Sequence, residues 1–122
     1  MKTRLMAVLV MVGLAVAAAG ATIYSITNIY STPAGYTVPD AVVELDFSPG
    51  AACVSVINNG AAALYVGKNC SQAAFAANIS AGTAGRIPAG KSATILSDKA
   101  NIATFLLQSV AGTTNGVDLI AY

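Results

Sequence analysis

The sequence predicts an all-β fold: a small β-sandwich of six to seven strands, Ig-like or jelly-roll-like, preceded by one N-terminal apolar helix. Three observations lead there. Short alternating apolar segments recur at intervals of about 8–12 residues, parted by Gly, Pro and Asn turn signals. The twenty residues between Leu5 and Tyr24 carry no charge and follow Lys2 and Arg4 directly. Charged residues make up only 9% of the 122-residue chain, against about 25% in an ordinary soluble domain. The chain therefore divides into an apolar N-terminal segment over 1–30, a linker over 31–39 and a β-sandwich domain over 40–122.

The first segment reads as a signal peptide or as a membrane or assembly helix. A secretory signal has a basic start, an apolar run of about 7–15 residues and a small-x-small cleavage site. Lys2 and Arg4, residues 5–16 and Ala19-Gly20-Ala21 supply these, with Thr22 as the candidate mature N-terminus. A membrane span needs about 20 apolar residues, which the stretch just reaches, and the basic start would keep its first end in the cytoplasm. Both readings export the remainder. Ile23, Ile26, Ile29 and Tyr30 recur at helical spacing and would prolong the helix to Tyr30. Tyr24, Ile26 and Tyr30 equally share one face of an extended strand, which, once freed by cleavage, could be donated to a neighbour's sheet edge. Tyr24, Tyr30 and Tyr36 also suit an interfacial aromatic belt.

Behind Pro39 the period changes to two. Ala41, Val43, Leu45 and Phe47 alternate with Val42, Glu44 and Asp46, the pattern of a strand with one wet face. Ser48-Pro49-Gly50 predicts a turn, and residues 53–57 the next strand. Asn58-Asn59-Gly60 predicts a type I′ hairpin that returns through residues 61–66. Ser71 is placed to cap a short helix over 72–76, and a loop held down by Cys70 fits the stretch equally well. A turn at Pro88-Ala89-Gly90-Lys91 leads to a strand over 92–96. Residues 102–108 (IATFLLQ) form the most apolar run after the linker and predict a central strand. A turn over 112–116 precedes the last strand, in which Val117, Leu119 and Ala121 share one face and Asp118, Ile120 and Tyr122 the other.

The search for chemistry excludes more than it finds. The chain has no His, which removes Ser-His and Cys-His pairs and the commonest general base. Without Lys2 and Arg4, four basic residues stand against five acidic ones, so there is no electrostatic footprint for nucleic acid. Glu44 and Asp46 lie two apart on a strand, a spacing that would suit a hard cation, with Asp40 or Asp118 added, or a carboxylate pair. A solvated strand face accounts for them better. Lys91-Ser92 reads as turn polarity. Cys53 and Cys70 are expected to form one disulfide, which would close a loop of roughly 17 residues worth about 3 kcal/mol. Two unpaired thiols are the alternative. Asn69-Cys70-Ser71 and Asn78-Ile79-Ser80 are glycosylation triplets, with Asn69 and Asn78 as acceptors. No catalytic residue, metal site or cofactor is expected.

So neutral a surface fits coverage by identical neighbours better than life as a free monomer. The layout resembles that of archaeal type IV-class pilins, which have one long apolar N-terminal helix followed by a small neutral β-sandwich. That resemblance is architectural and covers the whole chain, but Thr3-Arg4-Leu5 lacks the basic-plus-small cleavage site such pilins use. It implies a filament built through the N-terminal segment. The expected function is a non-enzymatic, exported structural subunit that assembles with copies of itself into an extracellular filament or surface layer. Ile23, Tyr24, Ile26, Ile29 and Tyr30 are the assembly residues, and the membrane is a partner if the residues between Leu5 and Tyr24 are retained. The alternative is a membrane-anchored virion protein, a minor capsid or spike component. A secreted or membrane-tethered binding module comes third.

Overall fold

The structure, a computed structural model, describes residues 16–18, 21–26, 30–98 and 100–122. In chain order the strands are β1 (Val16–Ala18), β2 (Ala21–Ile26), β3 (Tyr30–Ser31), β4 (Thr37–Val38), β5 (Val43–Ala51), β6 (Cys53–Asn58) and β7 (Leu64–Lys68). Helix α1 (Gln72–Ala81) follows, then β8 (Gly85–Ile87), β9 (Ser92–Leu96), β10 (Ile102–Ser109) and β11 (Asn115–Ala121). Sheet A has the order β1-β2-β5-β10-β7-β8, and sheet B the order β3-β11-β6-β9, with β4 on the first residues of β11.

The period-two pattern dictates which side chains the sheets bury. Val43, Leu45 and Phe47 of β5, Leu64 and Val66 of β7, and Phe105 and Leu107 of β10 point inward from sheet A. Val54, Val56, Val117, Leu119 and Ala121 meet them from sheet B. The apolar run around Phe105 sits in the middle of sheet A, with β5 and β7 on either side, as its composition predicts. The faces of β11 are also as read: Val117, Leu119 and Ala121 are buried, while Asp118, Ile120 and Tyr122 are exposed.

Several expectations change. The helix expected up to Tyr30 is strand wherever the segment is described: β1 pairs with β2, and β2 runs parallel to β5 from Thr22↔Val43 to Ile26↔Phe47. Residues 1–15 and 27–29, Ile29 among them, lie outside the described residues. The helical and extended spacings of this segment were equally available, and the free edge of β5 favours the extended one by offering it backbone partners. Tyr24 and Tyr36 pack against the shared core instead of forming a belt. The linker expected over 31–39 contains the second residue of β3 and all of β4.

The hairpin expected at Asn58-Asn59-Gly60 is a crossover. β6 pairs with β11 and β9 in sheet B, whereas β7 pairs with β10 and β8 in sheet A. Asn58 is fully buried; its Nδ2 donates to the Ala62 carbonyl at 2.8 Å and to those of Ile87 and Pro88, and its Oδ1 accepts from the Gly60 N–H at 2.9 Å. Buried Asn115 holds the far end of the crossover, accepting from the Ala62 N–H at 3.1 Å and donating to the Ala63 carbonyl and to Ser109 Oγ. Side-chain bonds to the backbone thus replace the turn that Asn-Gly would otherwise make. Ser48-Pro49-Gly50 remains inside β5, where the pairing with β10 slips between Asp46↔Thr104 and Ala51↔Ile102. The turn before β11 closes earlier than read, through the Thr113 N–H on the Val110 carbonyl.

Helix α1 begins as its cap predicts, with Ser71 Oγ accepting from the Ala74 N–H at 3.1 Å. It runs past Ala76 to Ala81, where Gly82 closes it in the left-handed conformation. It lies on the outer face of sheet A. Phe75, 1% exposed, packs with Val42 and Leu106, flanked by Tyr65, Cys70 and Ile79.

Candidate functional site

Three places bear on function: the acidic patch of sheet A, the groove beside β5 and the outer face of sheet B. In the first, strand alternation sends Glu44 and Asp46 outward from β5, level with Ile23 and Ser25 of β2 and with Leu106 and Thr104 of β10. Gln72, at the start of α1, donates to Glu44 Oε1 at 2.9 Å. Thr104 Oγ1 donates to Asp46 Oδ1 at 3.2 Å. Partial burial, together with the neighbouring Glu44 carboxyl, pushes Asp46 up to about 6, against the opposing bond from Thr104. Burial and, secondarily, Glu44 push the Cys70 thiol upward, away from the reactive thiolate.

The structure does not bring the other acids to this pair. Asp40 accepts from the Gly112 N–H at 3.0 Å, and Asp118, in the other sheet, accepts from Asn59 Nδ2 at 2.9 Å. No group of three metal-ligating side chains forms among the described residues. Glu44 and Asp46 therefore stitch α1 and β10 to β5 through neutral donors. Lys91 lies in the expected turn, its N–H on the Pro88 carbonyl at 3.1 Å.

Cys53 and Cys70 are both free. The expected bridge is prevented by placement: Cys70 sits under α1 on the outside of sheet A, while Cys53 opens β6 in sheet B. Asn69 and Asn78 differ in the same structural way. Asn69 Nδ2 donates to the Asn101 carbonyl at 3.1 Å, and its Oδ1 accepts from the Ala103 N–H at 2.8 Å, so a glycan there would cost the latch between β7 and β10. Asn78 stands exposed on α1. An open hollow of about 470 Å³ lies beside Asn69, lined by Lys68, Asp98 and Ala100.

In the groove beside β5, β2 contributes buried Ile26 and half-buried Tyr24 to the core, with Ile23 half-buried on the opposite side. Burial, reinforced by Tyr24, raises the Tyr36 phenol. Tyr30 pairs with Ala121 in sheet B, so the described assembly residues are split between the two sheets.

The outer face of sheet B was only partly legible. Ile57, Leu96, Ile120 and Tyr122 stand there 46%, 62%, 48% and 57% exposed, with Ser55 and Thr94 between them. Asp118 is the single ionisable acid on the described part of this face, at its margin beside Ile57. The alternation of β11 identified Ile120 and Tyr122 as outward; the neighbourhood of Ile57 and Leu96 needed the strand order.

No family model and no curated protein matches the chain. Among solved structures, the chain is similar to the crystal structure of PirA, at 17% identity and a TM-score of 0.46, over 71% of this chain and 89% of that one.

Proposed function

We propose that the protein is a non-enzymatic structural subunit, exported and assembling with copies of itself through its N-terminal segment into an extracellular filament or surface layer. The observation that supports this most is the placement of β2. Its pairing with β5 begins at Thr22, the residue that signal cleavage after Ala21 would make the N-terminus. Cleavage would therefore remove the apolar leader yet leave the whole β2–β5 ladder intact. With β1 removed along with the leader, β2 would be N-terminal, at the sheet edge and parallel to β5, a strand that suits delivery from another subunit as well as from its own, since its side chains fill a groove the rest of the sheet already defines. The described residues contain no helix long and apolar enough to cross a membrane, and this reading assigns assembly to β2.

Intact mass of the exported protein and electron micrographs of concentrated samples test this reading. A mass beginning at Thr22, with ordered polymers or sheets, is the expected result. Dispersed monomers at every concentration would overturn it.

A second reading, a virion shell component, draws on strand order. From β5 to β7, and again from β8 to β11, successive strands alternate between the sheets, the jelly-roll-like form of the sandwich, which capsid domains use. Recovery of the chain in particles that enclose nucleic acid would favour it.

A further inference from the structure

The free edge of sheet B is self-complementary, and we propose that two copies of this chain join there, β9 to β9, antiparallel about Thr94, in one continuous sheet. This rests on the reading of the protein as a self-assembling subunit and names the surface that a second copy meets.

The hydrogen-bond pattern of β9 shows which groups are available. Its register against β6 runs from Cys53↔Leu96 to Ile57↔Ser92. The Asn58 N–H donates to the Lys91 carbonyl and the Ser97 N–H to the Ala52 carbonyl, both at 2.9 Å. Bonded and unbonded positions alternate along an antiparallel strand. Residues 91, 93, 95 and 97 therefore direct their backbone groups at β6, and Ser92, Thr94 and Leu96 direct theirs at the open side. Among the described residues no strand covers that side. The edge from Ser92 to Leu96 has no charge, proline or bulge of its own, the devices that usually protect such strands. Its one guard among the described residues is Lys68, whose Nζ donates to the Leu96 carbonyl at 2.7 Å and lies 2.9 Å from Asp98.

Pairing about Thr94 satisfies this edge in one register. Thr94 meets the partner's Thr94, and Ser92 meets the partner's Leu96, so every outward position faces another outward position. On the inner side Ala93 meets the partner's Ile95, two residues that one copy alone leaves half-buried. At the ends Lys91 falls opposite the partner's Ser97, one residue from its Asp98, and the two-fold axis makes that approach of opposite charges twice. The edge thus reads positive, neutral, negative, the order that an antiparallel copy complements. Asp98 has a side chain 77% exposed, so it is accessible to a second cation, and Lys68 yields the Leu96 carbonyl to the incoming strand while keeping Asp98.

Sedimentation of the full chain over a concentration series tests the proposal with three variants. Thr94→Pro removes an N–H that points away from β6, so the fold keeps its ladder while the edge loses a central donor. Its melting curve should match that of the unaltered chain, with dimerisation weakened about tenfold or more. Asp98→Lys should weaken dimerisation roughly threefold or more. Combining it with Lys91→Glu should restore association to within about twofold, which repair of the internal Lys68 contact could not do. Dimerisation unchanged in Thr94→Pro, or no rescue in the double variant, overturns the β9 interface and leaves the assembly reading standing. An unaltered chain that stays monomeric throughout overturns both.

Discussion

The two outer faces of the sandwich are built from the same kind of strand but end differently. On sheet A, Leu106, Val42 and Tyr65 point outward and are covered by Phe75 and Ile79 of α1. On sheet B, Ile57, Leu96, Ile120 and Tyr122 point outward and nothing described covers them. The polar residues divide likewise. Glu44 and Asp46 are tied to Gln72 and Thr104 across elements, whereas the middle of the outward side of sheet B carries a weaker hydroxyl contact, Ser55 with Thr94 at 3.4 Å, and its stronger bond, from Asn59 to Asp118, lies at the margin. One face is finished within the chain and contributes to its stability. The other is left uncovered by the described residues.

The largest effect should come from breaking the finished face. Phe75→Ala empties the contact of α1 with sheet A and should cost about 3–5 kcal/mol in chemical denaturation. Ile120→Ala on the bare face should stay within about 0.5 kcal/mol. Equal costs would mean that the helix is not what completes sheet A. Next comes Gly67, where a Cβ would stand 2.8 Å from Phe75 Cδ1. Gly67→Ala should cost about 1–3 kcal/mol by lifting the ring, and combining it with Phe75→Ala should cost less than the two singles added.

A smaller, pH-dependent effect is expected at Asp46. Its folded-state pKa is raised from 3.8 to about 6, so the native state holds the proton more tightly than the unfolded chain does. The contribution of this group is fully present below about pH 4 and is lost as pH rises through 6. Asp46→Asn should flatten the fall in melting temperature between those pH values. A fall that persists unchanged would assign it to other carboxyls. The smallest effect on stability should come from the bare face itself: Leu96→Ser and Ile120→Thr together should leave the melting temperature nearly unchanged. The same pair should reduce binding of an apolar dye, and undiminished binding would place the accessible apolar surface elsewhere.

How much of this was legible depends on the range of the interaction involved. Ser71 as the cap of α1 needs only a residue three positions on, and the inward faces of β5 and β11 need only alternation. The larger errors are errors of partner. Residues 53–57 and 61–66 were both read as strands, yet they lie in different sheets because Asn58 and Asn115 bind the crossover between them. Cys53 and Cys70 are close enough in sequence for a bridge, and the sandwich puts Cys53 in sheet B and Cys70 under α1 outside sheet A. The assembly residues Tyr24 and Ile26 were placed on a shared extended face, one of two readings, and the edge of β5 selected it.

By itself the sequence determined an all-β chain with too little charge, no histidine chemistry and a set of inward residues fixed by a period of two. Those features are local, since burial of alternate side chains is decided wherever a strand meets any apolar surface. Tertiary structure alone decided which strand meets which, that β1 and β2 extend sheet A beyond β5, and that α1 covers one face while nothing described covers the other. The period of a strand says which side is apolar. It does not say what will lie against it, because that partner comes from distant sequence, or from another copy of the chain.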